Sequence, residues 1–185
     1  WLELWQQTEW PELQVYFTSV TDHWATATVT GPNARKVIAK VCQDIDLASE
    51  SFGFMDWREG TVSGVAARVF RISFTGELSY EVNVPAHYGR YIWEQLIEAG
   101  AEFNITPYGT ETMHVLRAEK GFIIVGQDTD GSMTPADMNM DWVVGKNKAF
   151  SFIGKRSLER SDSVRENRKQ LVGLKTLDPS AVLPE

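Results

Sequence analysis

Two carboxylates and an aromatic ring lie close together around one short turn of this sequence. Glu77 belongs to the turn at residues 75–78, Glu81 follows it, and Phe74 immediately precedes it. A carboxylate can accept two parallel N–H bonds from an amino-pyrimidine, as it does from a guanidinium, and an aromatic ring can stack on the same flat heterocycle. On residue types alone, however, a hairpin with solvated carboxylates explains the segment better.

Other signatures of chemistry are absent from the sequence. No dinucleotide-binding glycine motif, Walker loop, zinc-protease motif or nucleophile elbow occurs. The three histidines are scattered, and the single cysteine, Cys42, excludes an internal disulfide and a cysteine-clustered zinc site. The loop Asp128–Gly131 has its glycine too early for a calcium loop and no closing glutamate. We therefore expect no metal site.

The composition of the chain limits the classes of partner that it can bind. The 185 residues include 18 Lys and Arg against 25 Asp and Glu, which gives a formal net charge of −7. Such an acidic chain argues against a broad electrostatic grip on nucleic acid. Because no apolar run reaches about 18 residues, we expect no membrane span. No signal peptide is visible, and the balance favours a cytoplasmic protein.

The elements before the turn follow from hydrophobic periodicity. The runs Val15–Val20 and Trp24–Thr30 are rich in β-branched and aromatic residues, and the three residues between them predict a hairpin. Gly31-Pro32-Asn33 then predicts the start of a helix. The apolar residues of this helix recur at i, i+3, i+4, i+7 and i+8, namely Ala34, Val37, Ile38, Val41 and Cys42.

A second hairpin is predicted around the turn itself. The stretch Thr61–Phe74 is strand-like, with a break near Ser63-Gly64, and apolar residues alternate again after the turn. Glu81 therefore faces opposite to Tyr80 and Val82. If those two face the core, the Glu81 carboxylate lies on the open side of the sheet.

The remaining elements complete a fold class. A helix follows Pro85 and ends at Gly100, Phe103–Thr106 predicts a short strand, and Pro107 opens another helix that ends at Gly121. This order predicts an α+β fold, an antiparallel sheet with helices on one face in a split β-α-β, ferredoxin-like arrangement.

The pattern is weaker in the rest of the chain. Met140–Val144 and Leu171–Leu174 predict strands, Gly154–Arg160 predicts a short helix, and Ser161–Arg168 predicts a charged surface link. The apolar residues of Trp1–Trp5 predict a packed helix. The chain has no initial Met, and its last predicted strand needs a sheet partner. We therefore expect a piece cut from a longer chain.

The segment from residue 71 to residue 81, R-I-S-F-T-G-E-L-S-Y-E, resembles the Y-T-G-E-x-G-[FY]-E motif of the aminomethyltransferase family, which binds tetrahydrofolate. Four further motifs follow in the family's order. Leu116–Gly121 resembles L-R-x-E-x-G, Thr134-Pro135 resembles T-P, Asp141–Lys146 resembles W-x-V-x-K, and Phe152–Lys155 resembles F-I-G-[KR]. The resemblance runs from about residue 24 to residue 174, which is most of the chain.

The resemblance implies roles for individual residues. The second glutamate of the family motif holds the pterin ring, which implies that role for Glu81. The aromatic residue before T-G-E lines the pocket, which implies that role for Phe74, although the family usually has Tyr there. The other residues that we expect near the folate are Glu77, Tyr80 and Trp142.

This sequence departs from the family pattern at three places. Ser79 replaces a common glycine before the second aromatic residue. Met113 falls where the T-protein of the glycine cleavage system has a folate-contacting arginine. The family's catalytic Asp has no counterpart, so we assign no catalytic residue and expect that Asp upstream of residue 1.

The segments Tyr108–Gly121 and Val125–Gly131 are most similar to one branch of the family, the α subunits of heterotetrameric sarcosine oxidases. That resemblance implies partner subunits in a hetero-oligomer, with FMN, FAD or NAD only in other parts or subunits. It also implies capture of the one-carbon unit of sarcosine as 5,10-methylene-tetrahydrofolate. Two alternatives stay open at this point, a non-catalytic folate-binding or folate-sensing module and a T-protein.

The resemblance also implies domain boundaries. Residues 1–168 would form part of a tetrahydrofolate-binding, aminomethyltransferase-like domain. Residues 169–185 would begin a C-terminal barrel-like domain.

Overall fold

The computed structural model describes residues 1–182 of the chain. It divides after residue 120 into two compact units. The helices of the first unit are α1 (Leu2–Glu9), α2 (Ala34–Val41), α3 (Gly89–Gly100) and α4 (Thr110–Lys120), and its strands are β1 (Trp24–Thr30), β2 (Trp57–Val62), β3 (Val65–Phe70) and β4 (Ser79–Pro85). The second unit contains α5 (Lys155–Leu158) and α6 (Ser161–Val164). None of the helices in residues 1–182 is long and apolar enough to cross a lipid bilayer.

The first unit is a four-stranded antiparallel sheet in the order β1-β4-β3-β2, and α2 and α3 contact both β1 and β4. The predicted α+β class is confirmed. Alternate residues of β4 explain the layering, because Tyr80, Val82 and Val84 are at most 1% exposed. They pack under Ile38 of α2 and Ile92 of α3 in one apolar cluster. We call the face of the sheet away from α2 and α3 the open face.

The connections differ from a ferredoxin-like order after α3. The prediction of a short strand at Phe103–Thr106 is wrong, because the chain continues after α3 as a 3₁₀ helix at Ala101–Phe103. Asn104 then adopts a left-handed conformation with φ 55°, and the N–H of Ile105 donates to the carbonyl of Gly100. Ile105 lies so close to Gly100 that a Cβ there would be 2.6 Å from it. The helix end therefore uses the backbone groups that a strand would need.

The N-terminal predictions were only partly correct. A helix forms at α1, but none of its residues is buried. Its tryptophan, Trp5, contacts the N-cap residue Trp1 instead, with 5.2 Å between the two ring centroids. The predicted hairpin is wrong, since residues 14–20 form no strand. Tyr16 is 87% exposed, so this run lacks the buried face that stabilises β-branched and aromatic residues in a strand.

The strand break at Ser63-Gly64 is confirmed. Both residues have positive φ, 47° and 81°, as a two-residue hairpin between β2 and β3 requires. However, β3 ends at Phe70 rather than Phe74. Arg71 donates its N–H to the carbonyl of Asp56 and accepts the N–H of Met55, both at 2.9 Å. This exchange continues the pairing of β3 into the segment before β2, and residues 71–78 form a loop instead of a tight turn.

In the second unit, the predicted short helix is confirmed at α5, but the strand predicted at Met140–Val144 is a 3₁₀ helix at Asp141–Val143. The strand predicted at Leu171–Leu174 is also wrong. The N–H of Leu171 donates to the carbonyl of Asp137 at 2.8 Å, and its carbonyl accepts Nδ2 of Asn139 at 2.9 Å. A loop therefore takes the backbone groups that a sheet would use.

The predicted surface link Ser161–Arg168 contains α6 and ends in a buried side chain. Arg168 Nε donates to Oδ1 of Asp137 at 2.7 Å, and the side chains of Arg168 and Asp137 are 9% and 1% exposed. This pair holds the pKa of the Asp137 carboxyl well below its usual range, chiefly through the hydrogen bond from Arg168. The charge pattern had indicated a solvated segment, whereas Arg168 is a structural residue of this unit.

Candidate functional site

One row of side chains crosses the open face at the level of Glu81. The register pairs Glu81 with Thr28 on β1 and with Phe70 on β3, and it pairs Phe70 with Trp57 on β2. Alternate residues of a strand point to opposite faces, and Val82 is fully buried under the helices. The row Thr28–Glu81–Phe70–Trp57 therefore lies on the open face, where the sequence had placed Glu81.

The Glu81 carboxylate is half-buried and makes no hydrogen bond or ion pair with any of residues 1–182. Its burial raises its pKa above the ordinary value of 4.5. A carboxylate that is removed from water without a donor is unfavourable in the folded chain. A perturbed, unpaired acid on a sheet face is the kind of group that binding sites contain.

The two aromatic rings of the row form a flat surface beside this carboxylate. Phe70 and Trp57 stack with 5.9 Å between their ring centroids and 20° between their planes. Trp57 supports the far side of Phe70 and is itself 49% exposed. A planar heterocycle placed over Phe70 would have its edge toward Glu81.

The next row on the open face is already paired. Arg68 donates Nε to Glu59 at 3.1 Å, and its guanidinium lies 4.7 Å from the ring of Trp24. Thr26 donates to the side-chain oxygen of Asn83. These contacts pair the polar and charged groups of the neighbouring row, whereas the carboxylate of Glu81 has no partner among the described residues.

Ser79 adds a second polar group without a partner. It lies two residues before Glu81 on the same face of β4, is 3% exposed, and its hydroxyl has no hydrogen-bond partner among the described residues. The hydroxyls of Thr30 and Thr75 satisfy each other at 3.0 Å. An unsatisfied buried hydroxyl costs about 1–3 kcal/mol, which a bound ligand would recover.

The loop after β3 and the approach to α4 bring further groups close. Burial raises the pKa of the Tyr108 phenol, and the charges of Glu77 and Glu81 raise it further. Phe74 lies in the same loop as Glu77 and is 37% exposed. Glu77 and Glu81 are thus close enough to Tyr108 for their charges to act on its phenol.

Two further expected residues are Tyr80 and Trp142. Tyr80 is in the core, where its hydroxyl accepts Nε of Arg35 at 3.0 Å and its ring meets Phe52. It therefore supports β4 from the helix side, on the face opposite Glu81. Trp142 belongs to the second unit and is 79% exposed. Its place at a folate site stays a prediction.

Sequence reasoning missed Tyr108, Phe70 and Trp57. Tyr108 begins the segment that was compared with the oxidase branch, so a signal for it was present. Phe70 had been assigned to a strand that ran on to Phe74, and its position opposite Glu81 depends on the register of β3 and β4.

Comparison with known proteins identifies close relatives. Sarcosine oxidase subunit alpha from Corynebacterium sp. (strain U-96) is 58% identical over 186 residues, which cover 100% of this chain and 19% of that protein. Sarcosine oxidase subunit alpha from Rhizobium meliloti is 42% identical, over 96% of this chain and 18% of that protein. An aminomethyltransferase from Halothermothrix orenii is 35% identical, over 84% of this chain and 42% of that protein.

The chain therefore spans about a fifth of the length of the α subunits that it matches. The model of the family described as "GCVT N-terminal domain" matches residues 1–148, which is most of the chain. The resemblance inferred from the five ordered motifs is confirmed, and the chain belongs to the GCVT N-terminal domain family.

Proposed function

We propose that this chain is the tetrahydrofolate-binding region of a sarcosine oxidase α subunit. In that role it captures the one-carbon unit released by oxidative demethylation of sarcosine, as 5,10-methylene-tetrahydrofolate. Family membership and the two α-subunit relatives support the assignment. The observation on which it depends most is the half-buried, unpaired carboxylate of Glu81 on the open face.

The residues of the open face fit the ring of a pterin. Glu81 would accept two parallel N–H bonds from the amino-pyrimidine edge, which supplies the donors that the folded chain lacks. Phe70, backed by Trp57, would contact the face of the ring. The hydroxyl of Ser79 would bond to a polar atom at the same edge.

The other groups would limit access to the site. Phe74 and Glu77 lie in the loop of residues 71–78, and Tyr108 lies close to Glu77 and Glu81. We expect Phe74 to contact the ligand from this loop and Tyr108 to keep water away from the carboxylates. When bound, tetrahydrofolate supplies the two nitrogens that hold the one-carbon unit.

The oxidation belongs to other parts of the enzyme. The name "subunit alpha" of the relatives supports a hetero-oligomer with partner subunits. We propose that this assembly is cytoplasmic, and we place FMN, FAD and NAD in other regions or subunits. No catalytic acid is assigned within this chain. Residues 1–168 remain our proposal for the folate domain, with 169–185 as the start of a C-terminal barrel-like domain.

The position of Met113 separates this proposal from a T-protein. An apolar methionine cannot replace the charge of an arginine that contacts folate. A folate-binding module without catalysis would bind folate at the same open face. It would not, however, link folate binding to the demethylation of sarcosine. Measuring methylene-tetrahydrofolate formation from sarcosine therefore discriminates between the two.

The test is the substitution Glu81→Gln in the complete α subunit, assembled with its partners. The amide keeps one acceptor and loses the charge, so calorimetry should show tetrahydrofolate binding weakened by about 1.5–3 kcal/mol. Oxidation of sarcosine should continue, with release of formaldehyde instead of methylene-tetrahydrofolate.

The matched control is Glu59→Gln, which alters an exposed carboxylate on the same face, one row away from Glu81. Its folate affinity should equal that of the unmodified enzyme. An unchanged affinity in Glu81→Gln would refute the role assigned to Glu81.

A further inference from the structure

A cavity of about 480 Å³ follows the outer edge of β1. Its lining includes five consecutive residues of that strand, 26–30, together with the segment 103–110. Because successive strand residues point to opposite faces, a cavity that touches all five must run along the strand's edge and not over one face. We call this cavity the β1 groove.

The backbone of β1 has unused hydrogen-bonding groups along this groove. The strand lies at the edge of the sheet, beside β4 only. The N–H of Gly31 donates to the carbonyl of Leu78 at 2.8 Å. In an antiparallel pair, backbone groups bond to the partner strand at every second residue. The backbone N–H and C=O groups of the odd-numbered residues of β1 therefore point to β4, and those of the even-numbered residues point outward. Within residues 1–182, the outward N–H groups of Thr26, Thr28 and Thr30 have no recorded partner.

The opposite edge of the sheet is covered. The N–H of Thr61 on β2 donates to the carboxylate of Asp44 at 2.9–3.0 Å, and the N–H of Ser63 donates to the carbonyl of Val41 at 2.7 Å. A Cβ at Gly60 would lie 2.7 Å from Ile45, so the segment after α2 also packs closely against β2. Proteins cover or protect the edges of their sheets because unpaired strands associate.

The sequence of β1 lacks two of the usual protections of an edge strand. Its sequence from Trp24 to Thr30 contains no charge and no proline, the devices that discourage strand pairing. The described residues that line the groove include no charged residue either, although 23% of the residues in the whole chain are charged and 43% are apolar. The lining is apolar toward the helices, at Leu96, Ile97 and Ile105, and bears the hydroxyls of Thr26 and Thr28 toward the open face.

We propose that the β1 groove binds a β-strand of the same polypeptide from outside these 185 residues. The strand extends the sheet beyond β1, with apolar side chains toward α3 and small polar ones toward the open face. This inference rests on the proposed function: the α-subunit relatives are about five times as long as this chain, so a subunit of that kind has sequence that can supply the strand. Unpaired backbone groups in a row select an extended segment over a small molecule.

Hydrogen exchange tests this proposal with an internal control. The amides of Thr26, Thr28 and Thr30 should exchange about tenfold or more slowly in the complete α subunit than in the 185-residue chain. The amides of Ala27 and Val29 face β4 and should be protected in both. Fast exchange of the even-numbered amides in both proteins would overturn the proposal.

A second copy of this chain is the competing occupant. Protection of the even-numbered amides that rises with the concentration of the isolated 185-residue chain would identify a second copy and overturn the intramolecular strand. Protection in the complete subunit that is independent of concentration supports it.

A pair of variants gives an independent readout. Thr28→Pro removes an outward N–H, which an edge strand tolerates, and Thr28→Val keeps it. Relative to Thr28→Val, Thr28→Pro should lower the melting temperature of the complete α subunit clearly more than that of the 185-residue chain. Equal shifts in the two proteins would contradict the proposed strand.

Discussion

Phe70 on β3 lies directly opposite Glu81 on β4, and the ring of Phe70 is stacked on Trp57 at a centroid distance of 5.9 Å. A supported aromatic surface and an unpaired carboxylate are thus neighbours on one face of the sheet. In a directly opposite pair, side chains are within reach of a common ligand. This relationship supports our proposal that the open face binds a flat heterocycle with N–H donors on its edge.

The first prediction concerns this aromatic surface. Phe70→Leu in the complete α subunit removes ring stacking but keeps an apolar side chain, so tetrahydrofolate binding should weaken by about 0.5–1.5 kcal/mol. Calorimetry measures the change. The matched control is Tyr88→Leu, which removes an exposed ring from the helical segment before α3 and should leave the affinity unchanged. Equal affinities of Phe70→Leu and the unmodified subunit would show that Phe70 does not contact the ligand.

A second prediction concerns the cost of keeping Glu81 ionised. Burial raises the pKa of Glu81 in the folded chain. The favourable contribution of Glu81 to stability is therefore fully present below the ordinary pKa of 4.5. It is lost as the pH rises through the pKa of Glu81 in the folded chain. At pH 7 the Glu81→Gln chain should therefore melt at a higher temperature than the unmodified chain. The difference should vanish when both melts are recorded below the ordinary pKa of a glutamate.

Glu59→Gln is the control for this experiment, because Glu59 is exposed and paired with Arg68. It should not raise the melting temperature at pH 7. A Glu81→Gln chain that melts at or below the temperature of the unmodified chain at pH 7 would contradict the desolvation of Glu81.

A third prediction concerns the second unit. The depressed pKa of Asp137 means that its stabilising contribution is present above the ordinary aspartate pKa and is lost as the pH falls. Asp137→Asn leaves Arg168 buried without its main partner, so residues 121–182 should be cleaved faster in limited proteolysis at pH 7. Asp162→Asn, at the exposed partner of Arg168, should have a smaller effect. Identical cleavage rates in the two variants would argue against the buried pair.

A fourth prediction concerns self-association of the isolated chain. Trp1 and Trp10 are 70% and 44% exposed, and both contact Trp5 in a single aromatic cluster. Exposed apolar patches of this kind associate. Sedimentation velocity should show a concentration-dependent oligomer, which the double substitution Trp1→Gln with Trp10→Gln should abolish. A chain that stays monomeric at every concentration would show that this cluster is not adhesive.

A fifth prediction concerns folate itself. In residues 1–182, Glu81 has no donor partner and Trp57 is half-exposed, so the open face presents only part of a pocket. We expect no detectable tetrahydrofolate binding by the 185-residue chain at micromolar ligand, measured by tryptophan fluorescence. Tight, stoichiometric binding would show that these residues already contain the whole site.

Several features of this protein follow from its sequence alone. The alternation of β4 places Tyr80 and Val82 in the core and Glu81 on the opposite face, because a strand has a period of two whatever it pairs with. The apolar spacing of α2 and the glycine that ends α4 are equally local signals. The family was recognisable because its motifs occur in order along the chain.

Other features depended on contacts between distant residues. Phe70 faces Glu81 because β3 and β4 pair in one particular register across the loop of residues 71–78, which no local pattern reveals. The open edge of β1 follows from which strands pair, and Arg168 is buried because Asp137 lies 31 residues away in sequence and close in space. Local periodicity determined which face each side chain takes. Long-range hydrogen bonding determined which of those side chains meet.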